Sequence, residues 1–236
     1  MWRARSPTAT PTTPSSAPRT PPLGYDLTVG DLNGDGEDDL VVSAYFTDVS
    51  SSLTDAGAAY VVYGPIADDL SLPADADLTV TGVAAFDNTG RAISAEGDVN
   101  GDGVDDLLIS AYLYDPDGRS NAGGVALVYG STSARTGSLT FTTGDALWAG
   151  AAASDSLGTV AQLIGDFNGD GYDDIVIGGN GVDLAGSSSG RDLPVRGLVH
   201  EVQRLGDLRR SGRHNLRGVG WGSIGRPSQR ERSRRT

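Results

Sequence analysis

A stretch of fifteen residues occurs three times in this chain, and it constrains the fold more than any other feature. It reads GDLNGDGEDDLVVSA at Gly30–Ala44, GDVNGDGVDDLLISA at Gly97–Ala111 and GDFNGDGYDDIVIGG at Gly165–Gly179. The first aspartates, Asp31, Asp98 and Asp166, are 67 and then 68 residues apart. A nearly fixed period of this length indicates that one supersecondary unit has been copied. The unit is a short acidic loop that leads directly into a hydrophobic strand.

The loop has the pattern D-x-N-x-D-G-x-x-D, with short oxygen-bearing side chains at its positions 1, 3, 5 and 9. Because like charges repel at close range, three carboxylates within one such loop are unfavourable unless a cation lies between them. Calcium prefers about 6–8 oxygen ligands from flexible loops. The alternating spacing lets the side chains at positions 1, 3 and 5 converge. The sequence therefore predicts one Ca²⁺ site in each loop, or about three ions in all.

Five positions of each loop are predicted to bind the ion. Side-chain oxygens come from positions 1, 3, 5 and 9, which are Asp31, Asn33, Asp35 and Asp39, then Asp98, Asn100, Asp102 and Asp106, then Asp166, Asn168, Asp170 and Asp174. The backbone carbonyl of position 7 adds a ligand, from Glu37, Val104 and Tyr172. These three side chains are unlike one another, as expected if only the backbone of position 7 is used. Position 6 is glycine in every copy, which permits a sharp turn.

The loop resembles an EF-hand through position 6 and departs from it afterwards. An EF-hand needs a bidentate Glu at position 12 and helices on both sides. Here position 12 is Val42, Ile109 or Ile177, inside a hydrophobic run, so we expect the loop to join two β-strands. Two alternatives stay open at this point: Mg²⁺, which demands stricter geometry, and an ion-free acidic turn that only shapes the hairpin. Without the bidentate Glu, the predicted affinity for calcium is weak, about 10⁻⁴–10⁻³ M.

Short β-rich runs separated by Gly, Pro and Asp clusters fill the rest of each period, which predicts an all-β fold. The first period has runs at Tyr25–Val29, Leu40–Ala44, Ala58–Tyr63 and Asp77–Thr81. The second has Arg91–Glu96, Leu107–Tyr112, Gly124–Tyr129 and Leu139–Thr142, of which the last is expected to close the unit. The third has Gly158–Ile164 and Ile175–Gly178, and the match stops after Gly190.

Both ends of the chain differ from the repeats in composition. Residues 1–22 are rich in Pro, Thr and Ser and are expected to be disordered; they contain no apolar core of a recognisable signal peptide. Residues 1–190 carry 6 Arg and 27 acidic residues, a charge of −21, whereas residues 191–236 carry 12 Arg and 4 acidic residues, a charge of +8. No apolar run is long enough for a membrane helix.

The arginine-rich segment 191–236 admits three interpretations: a disordered basic tail, a nucleic-acid-binding arm, or a coding artefact such as a frameshift. The acidic body would repel a polyanion, which argues against the second, and we expect no nucleic-acid partner. A frameshift predicts that another reading frame past codon 190 encodes a strand like GVALVYG. A short helix is expected over Val195–Leu205.

The repeat resembles the FG-GAP repeat of β-propellers, which is found in the N-terminal head of integrin α chains and in many bacterial surface proteins. The Phe-Gly-like lead-in corresponds to Phe86…Gly90 and to Leu157-Gly158, and the calcium loop is intact, whereas the Gly-Ala-Pro element is degenerate. The resemblance is to a bacterial-type, incomplete form. It implies a partial β-propeller of about two complete and one incomplete four-stranded blades. The expected domains are a leader at 1–22, repeats at 23–190 (about 23–85, 86–150 and 151–190), and the tail at 191–236.

The same resemblance implies a non-catalytic module of a surface or secreted protein that binds calcium and mediates cell adhesion through a protein or polysaccharide ligand. The two histidines, His200 and His214, lie outside the repeats, and the chain has no cysteine, so no histidine-based catalytic set is expected among the repeats. An accessory propeller fragment of a secreted hydrolase or lyase is the alternative. Because three blades leave open edges, we expect further blades in a longer chain, or self-association.

Overall fold

A computed structural model describes residues 23–66, 69–181, 198–200 and 214–215. These residues form an all-β structure, which confirms the predicted fold class. The strands of the first period are β1 (Leu27–Gly30), β2 (Asp39–Ala44), β3 (Ala58–Val62) and β4 (Leu78–Thr81). Those of the second are β5 (Thr89–Ser94), β6 (Leu107–Ala111), β7 (Gly124–Val128), β8 (Gly137–Thr140) and β9 (Ala146–Ala149). The last are β10 (Leu157–Leu163), β11 (Ile175–Gly179), β12 (Leu198–His200) and β13 (His214–Asn215).

Each copy of the acidic loop joins the first two strands of one antiparallel sheet. In the first sheet β1 pairs with β2, β2 with β3 and β3 with β4, all antiparallel. In the second sheet the order is β5, β6, β7 and β9, again antiparallel. In the third sheet β10 pairs with β11 and β11 with β12. Two short 3-10 helices, Pro116–Gly118 and Phe141–Thr143, lie between strands of the second period.

The end of the second period differs from the prediction. The run at Leu139–Thr142 does not close the second sheet, because β8 pairs in parallel with β4 and so becomes the outer edge of the first sheet. The outer antiparallel strand of the second sheet is β9. The Tyr63 hydroxyl donates to the Arg135 carbonyl (2.7 Å), and the Arg135 guanidinium pairs with Asp145 (2.8 Å). These contacts hold the crossing segment against both sheets.

The arginine-rich segment contributes two short strands to the described part of the chain. β12 takes the position beside β11 that β3 and β7 take in the earlier sheets, and β13 pairs in parallel with β9 as β8 does with β4. The helix expected over Val195–Leu205 is therefore wrong at Leu198–His200, which is a strand. The predicted disorder of residues 1–22 and most of the predicted tail lie outside the described residues.

Two apolar cores lie between the sheets. The core between the first and second sheets includes Val41 and Val61 on one side and Leu107 and Ile109 on the other. The core between the second and third includes Leu108, Leu127 and Trp148 on one side and Ile175 and Ile177 on the other. Strands β6 and β7 are buried on both faces, since the middle sheet packs against a neighbour on each side. Their continuous hydrophobic sequences follow from this arrangement.

No helix among the described residues is long and apolar enough to cross a membrane.

Truncation of a side chain between two sheets should destabilise the chain strongly. Leu127 is fully buried in the core between the second and third sheets, so Leu127→Ala is expected to lower the free energy of unfolding by about 2–5 kcal/mol. Leu70→Ala, at a partly exposed leucine outside both cores, is the matched control and should change it by less than about 0.5 kcal/mol. Guanidinium denaturation measures both. Equal losses in the two variants would contradict this assignment of the core.

Candidate functional site

The first residue of each acidic loop curls the backbone of the loop around its carboxylate. In the first copy, Asp31 Oδ1 accepts hydrogen bonds from the N–H groups of Gly34 (2.7 Å) and Asp35 (3.1 Å), and Oδ2 accepts one from Gly36 (2.9 Å). Asp98 and Asp166 accept the same three bonds from positions 4, 5 and 6 of their own loops. Three separate loops thus share one conformation, because one carboxylate satisfies three successive N–H groups in each.

Positions 3 and 5 continue this pattern. Asn33 Oδ1 accepts from the N–H of Asp35 (2.9 Å), and Asp35 Oδ1 accepts from the N–H of Glu37 (2.9 Å). Asn100 and Asp102 make the corresponding bonds in the second loop (2.9 and 3.0 Å). The second carboxylate oxygen of position 5 is left out of these bonds, and both residues at this position are exposed. A hard cation could reach this oxygen from solvent.

The aspartate at position 9 is buried beneath the loop. Asp39 Oδ2 accepts from the N–H of Leu32 (2.8 Å), while Oδ1 accepts from the N–H of Gly64 (2.8 Å), just after β3. Asp106 makes the same two bonds, to Val99 (2.8 Å) and Gly130 (3.0 Å). Position 9 therefore joins the neck of the loop to the end of the third strand of the sheet.

Burial acts on the protonation of these aspartates. It raises the pKa of Asp106 to about 7, with a smaller upward contribution from the carboxylates of Asp98 and Asp102, against the lowering effect of the two N–H donors. Burial also raises the pKa of Asp39. A divalent cation in the loop would favour the ionised form of both side chains, because the cation is the largest charge in such a site.

The glycine at position 6 has a left-handed backbone in every copy, with φ of 90°, 85° and 93° at Gly36, Gly103 and Gly171. Residues with a Cβ rarely adopt this conformation. The predicted turn at position 6 is present in all three loops.

The fifteen predicted ligand positions lie in three separate loops, one in each sheet, and their donor atoms are all oxygens of the kind that Ca²⁺ prefers. Among the described residues, no three Asp, Glu, His or Cys side chains approach closely enough to form a metal-binding group. The chemistry of the donor set fits a hard cation. The three sites stay a prediction.

In the third loop the contact between positions 3 and 9 is closer than in the first. Here the Asn168 side-chain amide donates to Asp174 Oδ1 (2.9 Å), and the Asn168 backbone N–H donates to Asp174 Oδ2 (3.0 Å). The corresponding contact in the first loop, from the Asn33 amide to Asp39 Oδ1, is longer (3.5 Å).

The structure also assigns a role to an aspartate that the sequence analysis missed, at loop position 8. Asp105 Oδ2 accepts a hydrogen bond from the N–H of Asp31 (2.9 Å), and the N–H of Asp105 donates to the Asp31 carbonyl (3.0 Å). Asp173 and Asp98 form the same pair of bonds one sheet later (2.9 and 3.2 Å). We call each of these two-bond contacts an aspartate clasp. Position 8 is aspartate in all three copies, at Asp38, Asp105 and Asp173, and this repetition was the available signal.

An aromatic cluster lies at the other end of the first two sheets, beyond β2 and β6. The rings of Tyr25 and Tyr45 are 4.3 Å apart, and the Arg91 guanidinium lies 4.8 Å from the Tyr25 ring and 5.9 Å from the Tyr112 ring. Burial raises the pKa of Tyr45. A partly exposed cluster of Tyr and Arg is a common composition of binding surfaces.

Comparisons with known proteins agree with this architecture. The model of the FG-GAP repeat matches residues 23–62 and 89–128. The chain is 27% identical over 174 residues to integrin alpha-5 of Xenopus laevis, covering 72% of this chain and 16% of that protein. It is 26% identical over 166 residues to integrin alpha-V of Gallus gallus, covering 69% and 15%. It is 37% identical over 117 residues to the phosphatidylinositol-glycan-specific phospholipase D of Mus musculus, covering 48% and 14%.

The fold and the repeated loops define a partial β-propeller, since FG-GAP repeats are propeller blades. Two segments of the chain match the FG-GAP repeat, and integrin alpha chains are among its relatives, which confirms the resemblance to FG-GAP repeat proteins. It spans less than a fifth of the length of the relatives it matches.

Removal of one aspartate clasp should destabilise the contact between two blades. Asp105→Ala leaves the N–H of Asp31 without its acceptor, which is expected to cost about 1–3 kcal/mol of unfolding free energy. Asp38→Ala is the matched control, since Asp38 occupies the same loop position in the first sheet and is exposed. The control should change the free energy of unfolding by less than about 0.5 kcal/mol, when it is measured at a protein concentration low enough to keep the chains separate. Urea denaturation of both variants measures the difference, and equal effects would contradict the clasp.

Proposed function

We propose that this chain is a calcium-binding module of a surface or secreted protein, and that it mediates adhesion without catalysis by binding a protein or glycan. The observation that carries the calcium proposal is the shared loop conformation, in which the position 1 carboxylate of all three copies accepts N–H groups from positions 4, 5 and 6. One carboxylate draws the loop around itself, and the remaining oxygens of positions 3, 5 and 7 belong to the same short turn.

In the first loop the ion would be held by the side-chain oxygens of Asp31, Asn33, Asp35 and Asp39 and by the carbonyl of Glu37, and the other two loops would use the corresponding residues. The ion would supply positive charge among carboxylates that otherwise repel one another. It would also link the loop to the buried aspartate at its neck. The bound ion thus has a structural task, because it stiffens the turn between the first two strands of a blade.

Adhesion is supported by the similarity to integrin alpha-5 and integrin alpha-V, because repeats of this type suggest an adhesion-related propeller module. The cell surface or the extracellular space is the corresponding location. The Tyr25, Tyr45, Arg91 and Tyr112 cluster is the surface on which we place contact with a partner, because it combines aromatic rings with a cation at a junction of two blades.

A second candidate function is supported by the similarity to the phosphatidylinositol-glycan-specific phospholipase D. In that case the repeats are an accessory propeller of a secreted hydrolase, with the catalytic part elsewhere in a longer protein. The coding sequence next to this chain distinguishes the two, since a hydrolase domain in the same reading frame favours the second candidate.

Calcium should raise the stability of the chain by mass action. With a dissociation constant of about 10⁻⁴–10⁻³ M, calcium at about 10 mM adds roughly 1.4–2.7 kcal/mol for each occupied site. Thermal melting with calcium and with a chelator measures this shift. A triple variant Asp35→Ala, Asp102→Ala and Asp170→Ala should melt at one temperature in both buffers.

The matched control removes three carboxylates outside the loops, by Asp48→Asn, Asp69→Asn and Asp117→Asn, and should retain the calcium shift. Absence of a shift in the unmodified chain would contradict calcium binding. Equal loss of the shift in the control variant would mean that calcium acts through general charge screening. Isothermal titration then gives the affinity, and a sub-micromolar value would contradict the predicted weak sites.

A further inference from the structure

The junctions between neighbouring sheets repeat the same contacts. Both contain an aspartate clasp, in which position 8 of the later loop bonds to position 1 of the earlier one. Both also contain a bond from the later inner strand to a hydroxyl of the earlier one: Ala95 N–H to Thr28 Oγ1 and Leu163 N–H to Ser94 Oγ, each 3.1 Å. The two junctions are therefore two copies of one interface.

At each junction the later sheet contributes one surface, and the first sheet exposes the equivalent surface to solvent. Leu27, Ile93 and Ala161 are equivalent, since each pairs with the hydrophobic residue at loop position 12 of its own sheet. Ile93 and Ala161 are buried in the cores that face the preceding sheet, whereas Leu27 is 59% exposed. Val29 is 39% exposed, although its equivalent Leu163 is buried. Asp38, the clasp residue of this sheet, is exposed as well.

At each junction the earlier sheet contributes the other surface, and the third sheet exposes the equivalent of that surface to solvent. Loop position 2 is buried at both junctions, at Leu32 and Val99, whereas Phe167 at this position is 76% exposed. Loop position 4 is covered by the next sheet at both junctions: a Cβ built on Gly34 would lie 3.0 Å from Val104 Cγ2, and one on Gly101 would lie 2.6 Å from Tyr172 Cε1. A Cβ on Gly169 would meet nothing within 4 Å.

We propose that a second copy of this chain docks head to tail, with the leading face of one copy (Leu27, Val29 and Asp38) against the trailing face of the other (Phe167, Gly169 and the backbone of Asp166). The two faces are complementary because each is one half of an interface that the chain already contains twice. Asp38 forms a third aspartate clasp with Asp166 across the contact. Phe167 inserts beside Leu27 and Val29 as Leu32 and Val99 insert at the internal junctions.

This contact joins unlike surfaces, so it leaves one free face on each partner and can either close a ring or extend an open chain. Two copies together hold six sheets, counting the three that the described residues of each copy form. That number falls within the range of about 4–8 blades found in closed propellers. A closed dimer is therefore the expected assembly.

Sedimentation velocity of the full chain in calcium-containing buffer, over a range of protein concentrations, tests the proposal. The unmodified chain should shift from one copy to two as concentration rises. Leu27→Asp and Phe167→Asp each place a charge on one face at an exposed position and should each sediment as a monomer. Asp38→Ala removes the acceptor of the third clasp and should raise the concentration at the midpoint of the shift by about tenfold or more.

The decisive sample is a mixture of the two single variants. Leu27→Asp retains a trailing face and Phe167→Asp retains a leading face, so an equimolar mixture should form a dimer although neither variant does so alone. Phe86→Asp, at a phenylalanine that is 58% exposed and outside both faces, is the control and should behave as the unmodified chain. Circular dichroism spectra of all variants should be the same, which excludes unfolding as the cause.

A monomeric unmodified chain at every concentration would overturn the proposal, as would occur if the chain's own terminal segments covered the two faces. A mixture that stays monomeric would also overturn it, because a head-to-tail contact requires complementation. Dimers that persist in both single variants would place the contact elsewhere on the surface.

Discussion

Aspartate carboxylates that accept backbone N–H groups are the interaction on which this structure depends. At loop position 1 they curl the turn, at position 9 they join the turn to the third strand, and at position 8 they join one sheet to the next. A charged acceptor makes a hydrogen bond roughly twice as strong as a neutral one. Since the loops have little apolar surface of their own, these bonds give them a defined shape between strands that are held by apolar cores.

The three loop positions differ in whether they act within one sheet or between two sheets. Positions 1 and 9 act within one sheet. Position 8 acts between sheets, because the carboxylates of Asp105 and Asp173 accept the N–H of the preceding loop. Asp105 and Asp106, which lie just before β6, therefore have different partners: Asp105 bonds to the preceding sheet and Asp106 to its own. The repeat therefore carries its own contact to a neighbouring sheet, since an aspartate clasp forms only when another sheet lies beside the loop.

The sequence predicted the loops and most of the strands because both repeat. A spacing that occurs three times in one chain is not a chance pattern. It did not predict that β8 (Gly137–Thr140) pairs with the first sheet. The alternating pattern of a strand does not indicate which sheet the strand joins, and a parallel pairing at the edge of a sheet has no turn signal in the sequence. It also left position 8 unassigned. A carboxylate at this position satisfies the same D-x-N-x-D-G-x-x-D pattern whether it faces solvent, as Asp38 does, or a neighbouring blade, as Asp105 does.

The negative charge of the repeats opposes the packing of one sheet against another. Residues 1–190 carry −21, and three calcium ions would add +6, so that −15 would remain. Self-repulsion of this size opposes compact packing, yet the sheets meet through apolar cores and through carboxylates that are each paired with an N–H group. The acidic groups that face neighbouring sheets are thus compensated by backbone dipoles. Buried aspartates such as Asp39 and Asp106 also accept backbone N–H groups, and many of the other acidic groups lie at exposed turns. A blade of this kind can add to another blade without bringing uncompensated charge into the junction, provided that its position 8 aspartate meets the open N–H of a loop.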